Sequence, residues 1–325
     1  MNDQGSELDR KQRTLQEAIV ARFRESFGDS LQVDQSLSRY TTAGIGGPAD
    51  YLVTVSTAEE LCEAITLAVR QHIPYWILGF GSNVLVSEAG MRGLVIRNRA
   101  QQVHYRHDGR GVILRAESGA NLASLARQSV SRGLAGLVWA IGIPSTVGGA
   151  VVGNAGAHGS DIARSLRMAT ILDSDLKARD YRPEEMGFAY RNSALKRAHR
   201  GQGESDRVIL AAEFHLQPAP VDELEARAAE IAAHRARSQP PGASMGCMFK
   251  NPEGDHAGRL MDQAGLKGLR IGGVEISSVH ANFFTNHGGA SAEDVRQLMS
   301  RAWHVVKERF GVELEPEVEL IGDWG

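Results

Sequence analysis

The sequence holds two cysteines, Cys62 and Cys247, in different settings. Cys247 lies in SMGCMFKNP, Ser244 to Pro252, between a flexible glycine and a Phe-Lys-Asn-Pro turn. A thiol there could act as an acid, a nucleophile or a redox group. Cys62 falls in AEELCEAITLAVRQH, whose apolar spacing predicts a helix, and reads as an inert core residue. Neither cysteine has CxxC or Cys/His ligand spacing, so the pair implies neither a disulfide framework nor a zinc site and suits a reducing compartment. His104 and His107, in HYRH, lack a carboxylate or thiol companion and read as a surface loop at a strand end rather than a metal site. The chain has no HExxH, P-loop or GxSxG motif, which leaves zinc hydrolysis, NTP hydrolysis and serine esterase chemistry without an anchor.

The second chemical signal is glycine. GFGSN, Gly79 to Asn83, and GIPSTVGGAVVGNAGAHG, Gly142 to Gly159, are far richer in glycine and small polar residues than a connection requires. Such backbone can approach a ligand closely and turn successive N–H groups onto a diphosphate. A Rossmann reading of the first loop fails, because its sixth position is Val84 and VLVS looks like a strand rather than a helix start. Two such loops in one unit predict a dinucleotide held in another way.

These loops and the thiol need elements to position them. With 42% apolar residues among 325, the chain has material for a substantial core and two or three domains. A net charge of -3 without basic blocks argues against nucleic acid as a partner. The polar N-terminus lacks a secretory pattern, and LVWAIGIPSTVGGAVVG is too short and too interrupted by glycine, proline and hydroxyls to insert in a membrane. It reads as buried loop and turn, and the expected setting is the cytoplasm. Helical spacing marks residues 8–27 as an amphipathic helix leading into the first domain. Strands are expected at YLVTVS, YWILG, GLVIRN, GVILRAES, MATILD and VILAAEFHL, with helices at 58–72 and NLASLARQSVSRG, which is a mixed α/β pattern. Prolines bracket an Ala- and Glu-rich helix after VILAAEFHL, and that shift places a boundary near residue 218, dividing the chain into 1–218 and 219–325. A long helix and a final edge strand are expected toward the C-terminus.

YTTAGIGGPADYLV, ILGFGSNVLVSEAGMRGLVIRN, GIPSTVGGAVVGNAG, FAYRNSALK, GCMFKNPEGDHAGRL and LEPEVELIG, in that order, resemble the UDP-N-acetylenolpyruvoylglucosamine reductase family over nearly the whole chain from about residue 38. The resemblance implies a mixed α/β, vanillyl-alcohol-oxidase (PCMH)-type FAD-binding domain and a smaller C-terminal α+β substrate domain. The short interval between Gly159 and Tyr190 resembles the type II subgroup, which lacks an extra capping loop. The implied activity is FAD-dependent, NADPH-driven reduction of a UDP-sugar enolpyruvyl ether, with no nucleic-acid partner. A monomer is the default expectation for the assembly.

By the same resemblance, Gly79, Gly81, Ser82, Asn83, Gly142, Ile143, Pro144, Ser145, Thr146, Gly149 and Asn154 would face the flavin. Cys247 stands where the family has its proton-donating serine, Arg191 matches the arginine that meets the substrate carboxylate, and Glu317 matches the glutamate completing that cluster. Tyr190, Lys250, Asn251 and Asn282 are implied as substrate contacts. A thiol, with a reference pKa of about 8.5, is a stronger acid than an alcohol yet mostly protonated at neutral pH, so the donor role stays chemically possible. Departures from the family pattern are Ser145 for Gly, Gly153 for Met or another larger residue, and His158 for Tyr. Two other functions fit the same residues: a flavin oxidoreductase of this fold acting on a small alcohol or hydroxy acid, and a catalytically silent flavin or sugar-nucleotide binder.

Overall fold

The computed structural model describes residues 16–198 and 207–325. Of the helix expected over 8–27, residues 16–27 are helical, and the earlier part lies outside the described residues. A first sheet follows in the order Leu31–Ser36, Pro48–Val55, Met91–Asn98, Tyr75–Leu78. Its first pairing is antiparallel and the other two are parallel. The parallel pairing requires a crossover, supplied by the helix Ala58–Arg70. Thr57 caps that helix by accepting the Glu60 N–H, and Leu61, Ala64, Ile65 and Ala68 recur at helical spacing to bury one face against Val53, Val55, Leu94 and Ile96. Cys62 packs half-buried at this core, and burial pushes its thiol pKa up.

The second layer is an antiparallel sheet in the order Ala178–Tyr181, Leu166–Leu172, Val208–Pro218, Val112–Glu117, Val103–His107. His104 and His107 are therefore on an edge strand rather than in a loop. One face of the sheet is covered by the helix Leu122–Ser131, capped where Asn121 Oδ1 accepts the Ser124 N–H at 2.9 Å.

The stretch expected as buried loop and turn contains a short helix, Val147–Gly153, capped by Thr146. Val-Gly-Gly-Ala-Val-Val-Gly is a poor helix former by intrinsic propensity. Tertiary packing decides otherwise, because Val147, Ala150 and Val151 are all fully buried.

The helix Val221–Ser238, expected to open the second domain, buries Ile231 in the same core as Leu125, Phe214 and Leu216. The proline-bracketed shift in composition thus marks a turn in the chain, whereas the change of packing partner comes after the helix. Beyond it, Ala243–Cys247, Phe283–Asn286, Val274–Ile276 and Arg270–Ile271 form an antiparallel sheet packed with helices Ala257–Gln263 and Ala292–Phe310. A capping box between Ser291 and Asp294 starts the long helix, and Gly311, at φ 70°, ends it.

The last strand, Glu319–Ile321, returns to the first unit and pairs in parallel with Val84–Val86, the strand leaving the first glycine loop. Ala43, Ile45 and Leu85 from the first unit share a core with the C-terminal helices. This return is what brings residues from both ends of the sequence to one place.

Candidate active site

Two adjoining cavities lie between these layers. The first, of about 220 Å³, is walled by Gly79, Gly81, Ser82, Asn83, Ser145, Thr146 and Gly149, with Asn98, Ser118, Gly148, Lys196 and Arg207 beside them and Ile77, Leu78, Val152, Leu195 and Ile209 as an apolar surface. The second, of about 480 Å³, shares Ser82, Asn83, Ser145, Gly149, Gly153 and Lys196 with it and adds Ile143, Pro144, Arg191, Arg235, Cys247 and Glu317. An apolar slot with a few convergent polar groups and exposed glycine backbone suits a flat heteroaromatic ligand with a polar tail.

The loops are held rigidly in this cradle. Gly81 takes φ +61°, and a Cβ there would stand 2.3 Å from the Tyr40 carbonyl oxygen, so no other residue fits without moving backbone. The Ser82 hydroxyl donates to the Pro144 carbonyl and ties the two glycine loops together. At Gly153, where the cavities meet, no atom lies within 4 Å of a built Cβ, so the wall is bare. An FAD-sized group fits this donor set and this bare backbone.

Cys247 ends a strand bulged between Ser244 and Cys247, with Gly246 at φ +78°. The residues after it are zipped to the C-terminal segment: Lys250 N–H donates to Glu315 O at 2.8 Å and Glu317 N–H to Met248 O at 2.8 Å. Asn83 reaches across with its Nδ2 donating to Glu317 O at 3.1 Å. The zipper sets the Glu317 carboxylate at the thiol's side of the cavity.

Arg191 arrives from a different corner. It adopts a left-handed backbone, φ 53°, which costs a non-glycine residue about 1–3 kcal/mol. Two clamps hold that corner to the short helix: Asn154 Nδ2 donates to Ala189 O at 2.9 Å and Ser193 Oγ to Val152 O at 2.7 Å. Arg191 Nε then sits 2.7 Å from Glu317 Oε1. Glu317 thus occupies the Nε side of the guanidinium, and Nη1 donates to Gly156 O at 2.9 Å.

Electrostatics divide the roles. Burial first, then the Glu317 charge, pushes the Cys247 pKa up to about 12, against the opposing pull of Arg191, Arg235 and a hydrogen bond with Asn282. The thiol is an acid that holds its proton. Burial also raises Glu317, while Arg191, Lys196 and Lys250 pull it back.

Cys247, Arg191 and Glu317, separated widely in sequence, thus converge on one cavity. The other expected substrate contacts do not reach its wall. Lys250 is spent on Glu315, with Nζ 2.6 Å from Oε1. Asn251 Oδ1 accepts the Ala257 N–H at 3.1 Å and so helps to start a helix. Asn282 is clamped on Phe249, accepting its N–H at 2.9 Å and donating to its carbonyl at 2.7 Å. Tyr190 is exposed, its ring 5.4 Å under the Arg191 guanidinium. Two of the expected flavin residues also turn elsewhere, Asn154 as the clamp just described and Gly142 as the bare backbone against Arg235. Sequence reasoning missed Lys196, Asn98 and Ser118, which end the stretches FAYRNSALK, GLVIRN and GVILRAES without standing out there, and Arg235, which reaches the cavity only through the fold.

Residues 238–321 match the family described as UDP-N-acetylenolpyruvoylglucosamine reductase, C-terminal domain, and residues 49–177 match an FAD binding domain. The chain is 46% identical over 290 residues to a UDP-N-acetylenolpyruvoylglucosamine reductase of Rubrobacter xylanophilus, covering 89% of this chain and 95% of the relative. It is 44% identical over 294 residues to UDP-N-acetylenolpyruvoylglucosamine reductase 2 of Symbiobacterium thermophilum, covering 90% and 91%. The crystal structure of the Thermus caldophilus UDP-N-acetylenolpyruvylglucosamine reductase superposes with a TM-score of 0.74 at 38% identity, covering 89% of this chain and 99% of that one. The expected fold, an FAD-binding α/β unit followed by an α+β unit, is the one found.

Proposed function

This chain belongs to the UDP-N-acetylenolpyruvoylglucosamine reductase family, and from that premise we propose how its residues perform the reaction. The reaction is the FAD-dependent reduction, with NADPH as reductant, of the enolpyruvyl ether of a UDP-sugar in peptidoglycan precursor synthesis. FAD, when bound, supplies the chemistry of taking a hydride from the nicotinamide and giving it to the enolpyruvyl methylene carbon. The residues of the first cavity, from Gly79–Asn83 and Ser145–Gly149, would hold it.

The chain's own side chains handle the charge and the proton. Negative charge develops toward the substrate carboxylate as the methylene carbon is reduced. Arg191, its guanidinium fixed by a left-handed corner, the Glu317 carboxylate and the Gly156 carbonyl, meets that carboxylate with its remaining N–H groups. Glu317 keeps the guanidinium oriented. Cys247 Sγ–H gives its proton to the neighbouring carbon, and the thiolate left behind is stabilised by Arg191 and Arg235. The single observation carrying this reading is that a thiol, a guanidinium and a carboxylate from three distant segments line one cavity continuous with the glycine cradle.

We take the division between the two units to fall after Ser238, because the preceding helix packs with the FAD-binding unit. No helix of the described residues is long and apolar enough to cross a membrane. We take a monomer as the assembly and the cytoplasm, where nucleotides are held, as its setting. Anaerobic titration tests the function: the purified protein should be yellow, NADPH should bleach it, and the enolpyruvyl sugar nucleotide should restore the colour. Bleaching without recolouring favours a silent binder, and turnover of a small alcohol with oxygen favours another oxidoreductase of this fold.

A further inference from the structure

Three cations stand on the wall of the larger cavity: Arg191, Lys196 and Arg235. Two have counter-ions, since Arg191 Nε lies 2.7 Å from Glu317 Oε1 and Lys196 Nζ 2.7 Å from Glu319 Oε1. Arg235 has no carboxylate within ion-pair distance among the described residues, and the only group drawing its charge is the Cys247 thiol. Its guanidinium rests on Gly142, where a Cβ would stand 2.7 Å from Nε.

Two histidines stand near Arg235. His234 precedes it on the helix, and the His158 ring meets the His234 ring edge-on, 5.7 Å between centroids at 89°. His158 sits in the left-handed region, φ 51°, on the hairpin whose Gly156 and Ala157 belong to the cavity wall. Burial, then His234, Arg235 and Arg227, all lower the His158 pKa, and no acid appears among the groups acting on it. Arg227 has its own partner, Glu230, at 2.8 Å. The fold gathers His158, His234 and Arg235 beside the open cavity and supplies no anion for them. A guanidinium without a carboxylate partner among the described residues, beside two imidazole rings that can each present an N–H, suits an incoming anion.

We propose that His158, His234 and Arg235 form a phosphate-recognition corner at the edge of the catalytic cavity, binding the phosphate ester of the nucleotide that enters it. The inference rests on the reading that nucleotides use this cavity. Two sources share the chemistry: the diphosphate of the sugar nucleotide, and the phosphates of the reduced dinucleotide. Imidazole N–H and guanidinium donors suit either one.

The test is calorimetric titration of the flavin-loaded full chain with uridine diphosphate, with 2′,5′-adenosine bisphosphate and with uncharged uridine. Wild type is compared with His158→Asn, His234→Gln and the double variant. Asn accepts the left-handed backbone at 158, and His234 is exposed on its helix, so neither change strains the backbone or empties a core position. The double variant should bind at least one phosphate ester about tenfold or more weakly, the scale of one charge-assisted hydrogen bond, with uridine binding unchanged. A loss confined to uridine diphosphate assigns the corner to the sugar nucleotide, and a loss confined to the adenosine bisphosphate assigns it to the dinucleotide. A folded, yellow double variant with wild-type affinity for both esters overturns the proposal, as does an equal loss for uridine. Should His158→Asn fail to load flavin, His234→Gln alone carries the same comparison. The bleaching and recolouring titration judges the function independently, so wild-type turnover alongside unchanged affinities sinks only this corner.

Discussion

If Cys247 is the proton donor, its thiol must stay protonated where a free cysteine would begin to ionise. Its pKa is moved from 9.0 to about 12 by burial and the Glu317 charge. The difference, 12 minus 9.0, lowers the thiolate population about a thousandfold in the pH range below both values. A thiolate of higher pKa is intrinsically more nucleophilic, which recovers part of that loss. The net deficit in disulfide exchange is roughly 30- to 60-fold against an ordinary thiol, with limited access slowing it further. The assay is reaction of the flavin-loaded protein with an aromatic disulfide reagent over about pH 7 to 10, reading the Cys247 peptide by mass spectrometry against urea-unfolded chain. Below pH 9 the folded-state rate should lie at least that far below the unfolded rate; the gap should narrow above pH 9 as the unfolded thiol ionises, while the folded-state rate climbs without a plateau. The sign for catalysis follows: the thiol form is fully present below 9.0 and is lost only as pH rises through about 12, so turnover should show no thiol-linked decline near pH 9. By linkage, stability falls as pH rises from 9.0 toward about 12, because the unfolded thiol ionises first. An exchange rate that levels off near pH 8, or rapid labelling at neutral pH, would refute the reasoning.

Cys247→Ala should slow reoxidation of the reduced flavin by substrate about 10²- to 10⁴-fold while leaving reduction by NADPH near normal, read by anaerobic stopped-flow absorbance; Cys247→Ser should retain measurable turnover. Equal damage to both half-reactions would remove Cys247 from the donor role. Glu317→Gln leaves the Arg191 charge uncompensated, and the same assay should show a crippled oxidative half-reaction. Asn282→Ala strips the Phe249 N–H and carbonyl of their partners in a buried place, and urea unfolding should register a loss of about 2–4 kcal/mol. At Gly153 an added Cβ meets no protein atom within 4 Å, and Met replaces a poor helix former, so Gly153→Met should keep its flavin absorbance and gain about 0.5–1 kcal/mol in thermal unfolding; a colourless or destabilised variant would show that the bare wall is required.

The comparison of expectation with structure has a physical pattern. Helix 58–70 was legible because its caps and apolar spacing lie within a dozen residues of one another. The helix Val147–Gly153 was not, since its glycines and valines argue against helix and only the surrounding core enforces one. The boundary placed near 218 followed the prolines, while packing carried the next helix back onto the first unit through Ile231. Lys250, Asn251 and Asn282 sit beside Cys247 in sequence or motif, yet the Lys250 ammonium goes to Glu315, Asn251 Oδ1 to the Ala257 N–H, and Asn282 to Phe249 and the Cys247 thiol. Nearness along the chain does not say which way a side chain is used.

Read alone, the order of the residues determined the chemistry available: a solitary thiol in a Gly-Cys-Met-Phe-Lys-Asn-Pro turn, two glycine loops suited to a diphosphate, and an arginine and a glutamate in recognisable company. Those are properties of residue type and short-range spacing, which a linear string records fully. Tertiary structure decided which groups meet. The parallel pairing of Glu319–Ile321 with Val84–Val86 swings Glu317 to the thiol, and the left-handed corner at Arg191 closes the triad. It also decided that the thiol is a weak acid, because burial and a neighbouring carboxylate depend on segments folded in from far along the chain.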